Sequence, residues 1–188
     1  MWIMLAVFAM ELLGGYFSHS LSLLSDSWHV LLDGLAVLVA IWIDWKVSNN
    51  HAAEDRWRTR GVRAQGFLLL IIAGWIAIEA WRRMSGQESI ASTMMIVVAS
   101  IGMIANYFQH RILTKGKENS TRTSLDVHIL FDLGQSAAVV VGGILIAISG
   151  ILAIDLIVSG ILATIMIISG LLMFFIPKLF GHNHKHHH

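Results

Sequence analysis

The chain has 188 residues, of which 56% are hydrophobic, 13% charged and one proline, with a mean hydropathy of +0.70. Soluble domains carry about a quarter charged residues, so the composition excludes that class. A net charge of +1 gives no argument for nucleic acid, and the absence of cysteine removes disulfides and thiolate metal sites.

A helix needs about 20 apolar residues to cross roughly 30 Å of hydrocarbon. Six such blocks follow one another, at 1–17, 21–45, 62–81, 90–113, 124–149 and 154–176. The first has no basic region before its apolar run and carries Glu11, so it reads as a membrane helix rather than a signal peptide. The second carries Asp26, His29 and Asp33, the third Glu79, the fourth Asn106, the fifth Asp126, His128, Asp132 and Gln135, and the sixth Asp155. A membrane barrel would show segments of about ten alternating residues, whereas 67–80 and 139–148 are continuous apolar runs. The expected fold is therefore all-α: a polytopic membrane protein with a six-helix transmembrane domain over 1–177 and a short His-rich tail over 178–188.

Lys and Arg set the orientation. Lys46, Arg56, Arg58, Arg60 and Arg63 lie between blocks two and three, and Arg111, Lys115, Lys117 and Arg122 between blocks four and five. Lys178 and Lys185 follow block six, and only Arg82 and Arg83 lie on the opposite side. Basic residues accumulate on the cytoplasmic side, which puts both termini and both long joints there. The basic segment 56–63 also suits an anionic lipid surface.

An ionisable side chain at membrane depth costs a few kcal/mol or more and asks for a role. His29 and Asp33 stand at i and i+4, and so do His128 and Asp132. That spacing puts each pair on one helix face, about 6 Å apart at Cβ. One HxxxD pair can be a satisfied His–Asp contact between helices. Two pairs facing each other offer two imidazoles and two carboxylates to one point. That is a closed tetrahedral shell of the kind zinc accepts at about 2 Å. Softer ions prefer sulfur, and manganese or magnesium more oxygen, so zinc is expected, with cobalt and cadmium as further passengers.

These residues, the stretch 18–33 and the segment from His128 through Asp132 into Leu-Gly-Gln-Ser, resemble the cation diffusion facilitator family, in particular its zinc-transporting branch. Glu11 with Gly15, Arg82–Arg83, Asn106 and Asp155 also fit its pattern. The resemblance implies a homodimeric secondary transporter in the lipid bilayer, of the bacterial inner-membrane type. It would export zinc from the cytosol against inward protons, with zinc as transported substrate. Family members continue past helix six into a cytoplasmic metal-binding domain, whereas this sequence ends at Lys185-His-His-His, so regulation through such a domain is not expected. A His-rich joint between helices four and five is also missing, since 114–123 has no His.

Other polar positions carry less. Asp26 either guides ions outward or complements the start of its helix. Asp126 reads as a solvated helix start. Inter-helix hydrogen bonding explains Glu11, Glu79 and Asp155 as well as ion contact does, and Asn106 and Gln135 read as polar glue. Gly14–Gly15 and Gly142–Gly143 allow close backbone approach. His182, His184, His186, His187 and His188 read as a collector of metal or as the remnant of a tag. The runner-up function is a membrane zinc sensor or store without transport. An intramembrane zinc hydrolase is disfavoured, because catalytic zinc keeps an open position and needs a general base.

Overall fold

Each apolar block folds as an α-helix: α1 (Trp2–Ser18), α2 (Leu21–Val47), α3 (His51–Arg83), α4 (Ser92–Leu113), α5 (Asn119–Ser149) and α6 (Ala153–Phe175). The computed structural model describes the backbone of residues 2–47, 51–86, 89–113 and 119–177. Within these it describes the side chains of 5–39, 41–43, 45, 56–86, 89–108 and 132–177. No strand occurs among the described residues, as expected. Among the described residues four segments are long and apolar enough to cross a membrane: Leu21–Ile43, Arg56–Arg83, Asp132–Ser149 and Ala153–Phe175. Those of α1 and α4, Leu5–Ser18 and Ser92–Phe108, are shorter. The histidine tail, Lys178 and Lys185 lie outside the described residues, as do Lys115 and Lys117.

Polarity runs the reverse of a soluble protein. Ile78, Ile148, Ile157 and Phe175 are exposed, while Glu11, Asp26, Ser136, Asp155 and Ser159 are buried. Lipid as the outer solvent accounts for both halves of that pattern.

Two helices run further than their apolar blocks. α3 begins at His51, eleven residues before its block, so the basic segment 56–63 is helical. Ala, Glu and Arg are good helix formers, Trp57 meets Trp42 of α2 edge-on at 5.7 Å, and the Arg60 guanidinium covers Trp57 at 5.4 Å. α5 begins at Asn119, which places Asp126 about two turns inside it rather than at its start.

α2 is the shared element. Leu21, Leu24 and Leu32 join Leu69, Ala73 and Ile76 of α3 and Ala163 and Met166 of α6 in one apolar cluster. Leu23 joins Met95, Val98 and Ala99 of α4, Val139 and Ile146 of α5 and Leu162 of α6 in the other. α3 lies along α6, and there the backbones nearly touch. A Cβ on Gly66 would meet the Gly170 carbonyl oxygen at 2.7 Å, and one on Gly170 would meet that of Gly66 at 2.9 Å. Gly14 and Gly15 give the expected close approach of α1, to Val98 of α4 and Leu24 of α2.

One end of the bundle is knotted by hydrogen bonds. α1 closes with His19 in the left-handed region (φ 57°), Ser20 N–H donating to the Gly15 carbonyl at 3.1 Å and His19 N–H to that of Tyr16 at 3.3 Å. This is a Schellman ending with His where Gly is usual. Arg83 of α3 donates to the His19 carbonyl at 2.6 Å, and Ala91 N–H, just before α4, to that of Ser18 at 3.0 Å. Asp155 of α6 completes the knot. It accepts from Leu21 N–H at 2.7 Å, Ser22 N–H at 3.2 Å, Ser20 Oγ at 2.8 Å and Ser22 Oγ at 2.6 Å. Ser20 Oγ accepts from Leu23 N–H at 3.2 Å, so the first three N–H groups of α2 are all satisfied.

Candidate metal site

Among the described residues α2 and α5 touch over a short stretch, and His29, Asp33 and Asp132 gather there. His29 stands eight residues into α2, about 12 Å along its axis from the start. Its imidazole is buried, with Nε2 3.4 Å from Asp33 Oδ2, one turn on, and 3.5 Å from Asp132 Oδ1 across on α5. One ligand atom from each of the three lies within 4.8 Å of the others. The structure thus brings together His29, Asp33 and Asp132. His128 occupies α5 one turn before Asp132, and its side chain lies outside the described residues.

The spacing has chemical content. A charge-assisted N–H···O bond runs at about 2.7–2.9 Å, shorter than either His29 distance. Two donors on one tetrahedral zinc, each about 2.0–2.1 Å from it, stand about 3.3–3.4 Å apart. Neither ring nitrogen of His29 has a hydrogen-bond partner among the described residues. The imidazole is therefore buried with Nε2 facing a carboxylate on each side, at His–Asp distances that two ligands of one ion would also show.

The flanking polar residues divide by what they touch. Asp26 is buried and accepts a hydrogen bond from Ser136 Oγ of α5 at 2.9 Å, so it ties α2 to α5. The carboxylate that complements the start of α2 is Asp155, not Asp26, and it does so by hydrogen bonding between helices. Glu79 pairs along its own helix with Arg83 at 3.1 Å and Arg82 at 3.4 Å. Glu11 and Gln135 depart from expectation: both are buried, and no side-chain oxygen or nitrogen of either has a hydrogen-bond partner among the described residues. Sequence reasoning missed Ser20, Ser22 and Ser136 as partners of the buried aspartates. The one available signal was a run of serines beside apolar residues at the start of a membrane helix.

Comparison with known proteins gives the family. The cation efflux transmembrane domain matches residues 1–176. The metal cation efflux system protein CzcD of Cupriavidus metallidurans is 32% identical over 149 residues, covering 74% of this chain and 46% of that protein. The zinc transporter ZitB of Yersinia pestis is 32% identical over 157 residues, 77% of this chain and 49% of the relative. The cadmium, cobalt and zinc/H(+)-K(+) antiporter of Bacillus subtilis is 28% identical over 148 residues, 74% of this chain and 48% of the relative. The chain spans about half the length of these curated relatives. With a family domain matched from end to end of its helices, this integral membrane protein belongs to the cation efflux family.

Proposed function

We propose that the chain is a secondary active transporter that exports zinc from the cytosol in exchange for protons, with cadmium and cobalt as further substrates. His29, Asp33, His128 and Asp132 form its tetrahedral substrate site between α2 and α5. The observation that carries this reading is the meeting of His29, Asp33 and Asp132 within 4.8 Å at the short α2–α5 contact. All six helices cross the membrane with both termini cytoplasmic, on the count of basic residues, and the functional unit is a homodimer in an inner membrane of bacterial type.

The proton part follows from ligand chemistry. Zinc takes neutral imidazole and ionised carboxylate, so loading expels protons and unloading admits them. Histidine titrates near pH 6.5, within the range where such exchange runs in both directions. Alternating access turns this competition into antiport.

Zinc flux into sealed vesicles holding the purified protein is the test. The expected outcome is uptake that accelerates with an opposing proton gradient and drives counter-movement of protons. A protein that binds zinc without flux would be a sensor or store. Flux indifferent to the gradient between about pH 6 and 8 would make it a uniporter.

A further inference from the structure

Glu11 sits on α1, a different helix from those of the substrate site, with 0% of its surface exposed. Its carboxylate lies flat on α4, where a Cβ on Gly102 would collide with Oε1. Neither oxygen has a hydrogen-bond partner among the described residues, and no described ion pair involves it. Among the described residues α1 packs mainly on α2 and α4. From α2 the ionisable group near Glu11 is Asp26, itself buried. Among the described side chains of α4 the one titratable group is Tyr107, which is exposed. No cation faces Glu11 from either helix among the described residues.

Charge balance narrows what such a group can be. Glu11, Asp26, Asp33 and Asp132 are four carboxyl groups around the α1–α2–α5 interior, and the ion they would receive brings two positive charges. With the site empty, ionising all four would gather four negative charges where isolated charge is most costly, and a bound divalent ion offsets two of them. Asp26 has Ser136 as a donor, and Asp33 and Asp132 adjoin His29. Glu11 alone has neither donor nor cation among the described residues.

We propose that Glu11 is a proton-binding site separate from the metal ligands, filled when the substrate site is empty and emptied when zinc loads. A divalent ion on α2 and α5 lowers the cost of a nearby negative charge in this low-dielectric interior, and its departure restores that cost. Glu11 is hydrogen-bonded to none of His29, Asp33 or Asp132, so its proton adds to those the ligands exchange. Asp26, held by Ser136 and three residues before His29 on α2, is near enough to interact with both sites. The inference rests on the zinc-site reading above.

The experiment is proton release on zinc binding by the purified full chain in detergent. It is measured by calorimetry in buffers of different ionisation heat. Glu11→Gln keeps the size and removes the proton site, and should release about one proton fewer per zinc. Its zinc stoichiometry should be unchanged, and Glu11→Asp should restore the release. Equal release in wild type and Glu11→Gln overturns the proposal and leaves the zinc site standing, whereas absence of zinc binding in wild type defeats the zinc-site reading itself. A second measurement needs no variant. In infrared difference spectra of the wild-type chain, zinc should remove a protonated-carboxyl band that shifts with isotope-labelled glutamate. A band that shifts only with labelled aspartate, or no such band, overturns the proposal.

Discussion

The α3–α6 seam and the α2–α5 crossing solve opposite problems. Along the seam, Gly66 and Gly170 let two backbones meet, with Cβ positions 2.7 and 2.9 Å from the opposing carbonyl oxygens. Apolar residues from both helices fill the rest of the seam, including Leu69, Ala73, Ile76, Ala163 and Met166. At the crossing the contact is short, and the residues that meet are His29, Asp33 and Asp132. Lipid tails are as apolar as leucine, so helices in a membrane associate through close packing and polar contacts. The seam uses the first and holds. The crossing uses the second, and in doing so presents groups that an ion can bind and leave.

The largest expected effect breaks the crossing. Asp132→Ala should reduce zinc flux in vesicles to the protein-free background and abolish zinc binding, while membrane levels and melting in detergent stay near wild type. Retained flux would remove Asp132 from the substrate path.

Breaking the seam should instead cost stability. Gly66→Leu forces a side chain against the Gly170 carbonyl and against Met173 Cβ at 2.9 Å, where backbone cannot yield. Overpacking costs about 1–3 kcal/mol even where side chains can shift. The variant should melt well below wild type in detergent, and Asp132→Ala should not. If both melt alike, the division between a holding seam and a binding crossing is wrong.

A subtler change sharpens the comparison without breaking either region. His29→Asp makes the shell harder and more oxygen-rich, and should shift flux preference from zinc toward manganese. Unmoved selectivity would place discrimination at entry rather than at the ligands. The smallest effect belongs to Ser136→Ala, which removes the donor to Asp26. It should cost about 1–3 kcal/mol, the penalty of a buried acceptor left unsatisfied, read as a lower melting temperature with zinc stoichiometry intact.

The sequence was readable where one residue type at one spacing has one main physical outcome. Apolar runs of membrane length gave six helices, and two HxxxD pairs marked the residues of which three meet. Reading failed where the outcome depends on a distant partner. Nothing near Asp155 in the chain says that its acceptors face Leu21, 134 residues away. Gly66 and Gly170 are ordinary glycines until α3 and α6 are paired. The start of α3 was misjudged for another reason. Hydropathy reports the end of the apolar span, and a helix is free to continue into water.

The carboxylate of Asp155 also says something about assembly in time. Ribosomes deliver α1 and α2 to the membrane long before α6, yet two of the first N–H groups of α2 find their acceptor on that last helix. Until α6 arrives those groups face a medium in which each unsatisfied donor costs several kcal/mol. Before α6 packs, the first turn of α2 therefore lacks the acceptor of two of its N–H groups. Arrival of the sixth helix closes it, so the end of the bundle laid down first in synthesis is the one finished last.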